Sequence, residues 1–414
     1  MTPQSDIDEV RQIEAGTAPT RFARGWHCLG LTRELGDGKP HTVNAFGQRL
    51  VVFRSQDGRL NVLDGYCRHM GGDLSQGEVK GNEIACPFHD WRWGGDGRCK
   101  QIPYSRRVPK LARTATWPTL EQDGMLFVWN DPERNPPPEG VTIPRIAGAD
   151  SDEWTDWHWY TTVVSTNCRE IVDNVVDMAH FFYVHGSMPT HFKNVFEGHV
   201  ATQYMSSGSR PDLPSPEGGP VLLGTTSLAS YWGPSFMIDD LTYHYEHEDQ
   251  QTVLLNCHYP IDANSFVLQY GIIVKKSDNL PQEAAMQAAV ALGDFVKMGF
   301  EQDVAIWRNK TRIENPLLCE EDGPVYQLRR WYEQFYVDAA DVTSEMVDRF
   351  EYEIDVTRPR AAWQKQVEDN IARRAAQFDP ERGAAEAWLG SVIRHAALDI
   401  ARKRGREIPT DDAT

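Results

Sequence analysis

Cys67-Arg-His69 and, sixteen residues further on, Cys86-Pro-Phe-His89 decide how this 414-residue chain is read. Each pair puts one thiol and one imidazole on a stretch short enough for a single loop. Two such loops pinched together would present two thiolates and two imidazoles to one metal site. The flanking sequence says what carries the loops. Short apolar or alternating segments, Arg49-Leu-Val-Val-Phe-Arg54, Leu60-Asn-Val-Leu-Asp64 and Met125-Leu-Phe-Val-Trp-Asn130, are punctuated by Gln56-Asp-Gly58 and Gln122-Asp-Gly124. Strand-like runs between Asp-Gly turns predict an all-β domain over residues 20–135.

Two cysteines and two histidines also satisfy a structural zinc. Zinc fingers usually separate a Cys-Cys arm from a His-His arm, whereas here each arm carries one of each. That distribution suits a Rieske [2Fe–2S] cluster, with Cys67 and Cys86 on one iron and His69 and His89 on the other, at a potential above that of an all-thiolate cluster. Cys28 and Cys99 have no histidine at ligand spacing and are expected as small buried side chains. The seven cysteines are odd in number and scattered, poor material for disulfides, which points to a reducing, cytoplasmic compartment. No stretch approaches the roughly 18 uncharged apolar residues that a membrane helix needs. With 42 basic against 60 acidic residues the net charge is −18, which argues against nucleic acid or an anionic membrane as partner.

A cluster alone makes an electron carrier, and a carrier needs only the first domain. Asp131-Pro-Glu-Arg-Asn-Pro-Pro-Pro-Glu-Gly140 reads as a linker, since consecutive prolines cannot join a ladder. Beyond it an α+β domain is expected over 145–385. It should hold a helix over Val172–Val184, strands at Thr252–His258 and Ser265–Val274, and a long Ala- and Met-rich helix over Gln282–Arg312. Residues 206–220 are expected as a loop, and Arg358 onwards as helix leading into a tail at 386–414. Asn174, Asp177 and His180 are spaced for one helix face. Gly186 sits where a helix can end, so that His185 can turn back towards His180. Two imidazoles and one carboxylate make the facial triad that holds Fe(II) for oxygen activation, and Asp177 and Asp303 both qualify as the carboxylate. Phe300 and Trp307 flank Asp303 at i−3 and i+4, where they either wall an apolar pocket or pack the core.

Taken together, Cys67-x-His69, Cys86-x₂-His89, Asn174-x₂-Asp177-x₂-His180-x₄-His185 and Asp303-x₂-Ile-Trp307 resemble the Rieske non-haem iron oxygenases over residues 20 to about 310. The resemblance implies an α+β fold in which the all-β [2Fe–2S] domain precedes a helix-grip-like catalytic domain with an antiparallel sheet. It implies His180, His185 and Asp303 as ligands of a mononuclear Fe(II). Asp177 would be the carboxylate that links His180 to His89 of a neighbouring subunit, in a cyclic homotrimer. Met237 and Asn256 would join Phe300 and Trp307 around the substrate. Asp90, where ring-dihydroxylating members usually have Gly, together with Cys99-Lys-Gln-Ile-Pro-Tyr104, looks like the steroid-acting branch of 3-ketosteroid 9α-hydroxylase type. That branch implies a monooxygenase of sterol breakdown, taking a 3-ketosteroid, O₂, two electrons and two protons to hydroxysteroid and water. The chain has no Gly-x-Gly-x-x-Gly fingerprint, so NADH would be oxidised by a separate reductase carrying flavin and a plant-type [2Fe–2S] cluster. An aromatic-ring dioxygenase or O-demethylase would use the same metals; a bare electron carrier or a zinc-structured binding protein would not.

Overall fold

The Asp-Gly turns behave as their chemistry dictates. In the computed structural model, which describes residues 12–213, 222–276 and 282–375, Asp123 and Gly124 take positive φ of 52° and 77°. This two-residue turn joins strand Thr119–Gln122 to Met125–Asn130, which is buried along its whole length because Gly25–Leu31 pairs with its other edge. A second antiparallel sheet runs His41–Ala45, Gln48–Arg54, Leu60–Asp64, Thr116–Trp117, and a third Glu78–Lys80, Glu83–Ala85, Arg92–Gly94, Cys99–Gln101. Both cysteine loops hang from these two sheets. One follows Leu60–Asp64 and the other joins Glu83–Ala85 to Arg92–Gly94. Cys28 and Cys99 are buried, as expected of them.

Residues 131–157 form neither helix nor strand, in keeping with their prolines. Beyond them lies one antiparallel sheet of eight strands: His158–Val164, Ser265–Val274, Asp249–Asp262, Phe236–Tyr245, Leu222–Trp232, Val200–Ser209, Ser187–Glu197 and Phe350–Glu353. Alternation decides which face each side chain takes. Val253, Leu255 and Cys257 pack with Trp26, Phe127 and Trp129 of the first half, whereas Leu254 turns to the other face. There, Leu268 and Tyr270 share a core with Val304 and Trp307 of the long helix Gln282–Asn309. A sheet covered on both sides explains why Ser265–Val274 is apolar almost throughout.

Three expectations need correction. Val172–Val184 is not one helix: Arg169–Val172 is α-helical, Asp173–Val175 is a 3₁₀ turn, and a new helix spans Ala179–Tyr183. Asn174, Asp177 and His180 therefore share no single helix face. The run Asp173-Asn-Val-Val-Asp177 is poor in helix formers, and its polar side chains are drawn elsewhere: Asp173 to Arg329, Asn174 to the Trp307 indole and Asp177 to the His180 N–H. Secondly, strand Val200–Ser209 extends into the expected loop, while 214–221 lie outside the described residues. Thirdly, the long helix ends at Asn309 rather than Arg312. Helix Thr357–Ala375 begins within one residue of the position expected, and the tail at 386–414 lies outside the described residues.

Candidate metal centres

The two cysteine loops have the same shape. Gly71 N–H donates to the Cys67 carbonyl and Asp90 N–H to the Cys86 carbonyl, each at 2.9 Å, so both loops close four residues after their cysteine. Both closing residues have positive φ, 74° at Gly71 and 56° at Asp90. This accounts for Asp90 where a glycine is usual: Asp tolerates the left-handed region, and Lys80 (2.8 Å) and Arg92 (3.3 Å) hold its carboxylate. Next to Gly71, a Cβ on Gly72 would stand 2.7 Å from Cys86 Sγ, so glycine is what lets the loops pinch together. Cys67 and Cys86 are buried in an apolar core with Leu74, Ile84 and Trp93. The imidazoles of His69 and His89 lie 4.7 Å apart nearer the surface, and Trp91 stacks on His69 at 4.5 Å. His69 Nδ1 is buried without a hydrogen-bond partner. An orphaned imidazole nitrogen beside two buried thiols is the donor set that a Rieske cluster completes.

On the far half, His180, His185 and Asp303 come together with their donor atoms within 4.8 Å of one another. His185 Nε2 is 3.3 Å from Asp303 Oδ2, and Asp303 is buried on the long helix. The chain leaves the short helix at Gly186, whose φ is 68° and whose Cβ would meet Leu213 Cδ1 at 2.4 Å; this exit sets His185 beside His180. Backbone and side-chain acceptors choose the tautomers. His180 Nδ1–H donates to the Asp177 carbonyl at 2.5 Å and His185 Nδ1–H to Gln302 Oε1 at 3.4 Å, which frees both Nε2 atoms for a metal. A buried carboxylate facing two such imidazoles fits Fe(II).

Asp177 is not part of this cluster. Its half-exposed carboxylate caps the short helix by accepting from His180 N–H at 3.2 Å and lies 3.8 Å from His180 Nδ1. The hydrogen bond from His180 holds this half-exposed carboxyl below the usual range. The segment is pinned by ion pairs at its root. Buried Glu170 meets Lys310 at 2.7 Å and Arg312 at 3.5 Å, and Asp173 meets Arg329 at 2.7 Å.

Met237, Asn256 and Tyr270 stand opposite one another on three adjacent strands, and Phe300, one turn before Asp303, stacks on Tyr270 at 4.5 Å. Asn256 is buried and its Oδ1 has no partner. Trp307 is placed differently: it is enclosed with Val175, Val304 and Trp331, and its indole donates to Asn174 Oδ1 at 3.4 Å. Gln302, Gly72 and Trp93 escaped the sequence reading. The Gly71-Gly72 doublet, which begins two residues after Cys67-x-His69, was the available signal for one of them.

Asp239, two residues beyond Met237 on the same strand face, is buried and accepts a hydrogen bond from the Ser227 hydroxyl at 2.7 Å. Burial, reinforced by the neighbouring Asp240, pushes its carboxyl up to about 7. The folded chain thus holds a proton there that the unfolded chain releases near pH 4. The stability this confers is complete below about pH 4 and is lost as pH rises towards 7, by at most about 4 kcal/mol. Asp239→Asn is expected to melt slightly higher than the parent at pH 5 and several degrees higher at pH 8. Equal melting temperatures at both pH values would refute it.

Comparison with known proteins follows the same division. Residues 25–112 match the model of the Rieske [2Fe-2S] domain and residues 128–336 that of the 3-Ketosteroid 9alpha-hydroxylase C-terminal domain. The oxygenase component of 3-ketosteroid-9-alpha-monooxygenase from Rhodococcus rhodochrous is 67% identical over 383 residues, covering 92% of this chain and 97% of that protein. The protein of the same description from Mycobacterium tuberculosis is 56% identical, covering 89% and 96%. Among solved structures, the NdmA QL mutant of Pseudomonas putida CBB5 with theobromine superposes with a TM-score of 0.61 at 17% identity, over 79% of this chain and 96% of that one, a likeness of fold alone.

Proposed function

The chain belongs to the family of 3-ketosteroid 9α-hydroxylase oxygenase components, which are Rieske non-haem iron monooxygenases, and from that membership we propose that it hydroxylates carbon 9 of a 3-ketosteroid in sterol breakdown. The observation that carries this reading is the pairing, in one chain, of the Cys67/His69/Cys86/His89 loops with the His180/His185/Asp303 triad. When bound, the [2Fe–2S] cluster and the mononuclear Fe(II) supply single electrons and the reductive activation of dioxygen. The chain's own residues do the rest. Asp177 and Gln302 orient the two imidazoles, and Asp177 couples the two metals. Phe300, Met237 and Tyr270 wall an apolar slot, and the unpaired amide of Asn256 meets a polar group of the ligand. Trp307 supports the slot from behind through Asn174.

The overall balance is substrate C–H, O₂, two electrons and two protons giving C–OH and water. A reductase must deliver the electrons, and we assign it flavin and a plant-type [2Fe–2S] cluster with NADH as donor. The tip around His69 and His89 exposes Met70, Phe88 and Tyr104, and Asp177 is open to solvent; both are covered if one chain's tip meets Asp177 of the next in a homotrimer. None of the seven cysteines is joined in a disulfide, which suits the cytoplasm, and no helix among the described residues is long and apolar enough to cross a membrane.

A single turnover tests the proposal. Protein reduced chemically without oxygen, mixed with androst-1,4-diene-3,17-dione and exposed to labelled dioxygen, is expected to yield steroid carrying one labelled oxygen at carbon 9. No steroid product from fully iron-loaded protein would overturn the substrate and redirect the search to aromatic ring or O-methyl substrates.

A further inference from the structure

Trp93 is a large side chain packed against the cluster loops that the function above leaves without a role. It lies on Arg92–Gly94, is wholly buried among Val51, Phe53, Leu63, Leu74 and Ile84, and directs its indole N–H at Cys67 Sγ, 3.3 Å away. A buried indole N–H needs an acceptor, and among the described residues this sulfur is the one it has. A neutral thiol is a weak acceptor. A metal-bound thiolate is a good one, and on this apolar side of the loops no water competes with the bond. The other nearby tryptophan does not duplicate it: Trp91 stacks on His69 and spends its indole N–H on Tyr104 Oη at 2.7 Å.

We propose that Trp93 is a positioning residue that raises the reduction potential of the [2Fe–2S] cluster by donating its indole N–H to the Cys67 thiolate. An added electron makes the ligand sulfurs more negative, so a donor to sulfur stabilises the reduced cluster more than the oxidised one. The effect eases electron entry from the reductase. This inference rests on Cys67 being a cluster ligand, as the proposed function has it.

The test uses the iron-loaded protein and two readouts other than turnover. With tryptophan labelled by ¹⁵N in the indole ring, pulsed electron paramagnetic resonance of the reduced cluster is expected to show a ¹⁵N coupling beside those of the two imidazoles. Trp93→Phe, which keeps the ring and removes the donor, is expected to lower the midpoint in spectroelectrochemistry. At the parent's midpoint the ratio of reduced to oxidised cluster should fall several-fold. A parent with no ¹⁵N coupling, or a loaded variant with an unchanged midpoint, overturns the proposal while leaving the Rieske assignment standing. A parent with no Rieske resonance at all overturns both. If the variant fails to load, the ¹⁵N measurement on the parent decides alone.

Discussion

Asp303→Ala is expected to abolish hydroxylation, lowering turnover by at least about a thousandfold, the scale on which losing one member of a group that acts as a unit is felt. Iron should fall from about three to about two per chain while the Rieske absorption persists. The two effects separate because the sites draw on different cores: the cysteine loops sit on Val51, Phe53 and Ile84, whereas Asp303 rides on a helix packed with Leu268, Tyr270 and Val175. Removing the carboxylate takes away the one acidic donor among the three convergent groups and leaves His185 Nε2 facing empty space where Oδ2 stood 3.3 Å away. Iron analysis together with the single-turnover assay reads the result. A variant that keeps its full iron content and its activity would show that the carboxylate ligand lies elsewhere.

Asp177→Asn has the second largest expected effect and a different signature. Asn is isosteric, can still accept from His180 N–H, and leaves untouched the backbone carbonyl that sets the His180 tautomer. Iron loading and chemical reduction of the cluster should therefore be normal. What disappears is the negative charge beside His180, and with it the link between the two metals. Reoxidation of the reduced cluster by dioxygen in the presence of steroid, followed by stopped-flow absorbance, is expected to slow by about one to two orders of magnitude. An unchanged rate would refute the coupling role, whereas loss of iron would mark Asp177 as a ligand instead.

The two outcomes mirror how the carboxylates stood in the sequence. Asp177 and Asp303 are both eligible by residue type to complete the triad, and the family resemblance alone points to Asp303. The fold brings Asp303, and not Asp177, to the two imidazoles. A short helix begins after Asp177, which turns its carboxylate back onto the helix's own N-terminus, while the long helix brings Asp303 in from across the sheet. A facial triad whose members are separated by well over a hundred residues has no local period, so only a family pattern could point to its third member.

Other parts were legible because their chemistry is local. The cysteine loops could be read as matched arms since a ligand pair on one loop is a short-range pattern, and the Asp-Gly turns fixed hairpins since few residues tolerate positive φ. The break in Val172–Val184 leaves no mark in the apolar spacing, because Asp173 and Asn174 are held by partners far along the chain, Arg329 and Trp307. By spacing alone Trp307 can line a pocket or pack a core; its indole bond to Asn174 and its enclosure by Val304 and Trp331 are set by how the helix lies on the sheet.

What the amino-acid sequence determined by itself is the chemistry: two loops of one Cys and one His each, two further histidines around a helix stop, and an all-β half before an α+β half. These follow from side-chain donors at fixed short spacings and from patterns of period two and 3.6. What only the tertiary structure decided is which donors meet and which way each imidazole faces. Asp303 reaches His185 because Val304 and Trp307 beside it pack the long helix onto Leu268 and Tyr270 of the eight-stranded sheet. Likewise Gln302, Gly72 and Trp93 acquire their roles solely from distances across the fold, to His185, Cys86 and Cys67. Spacing along a chain specifies neighbours on one element, and contacts between elements are set by the packing that buries their apolar faces.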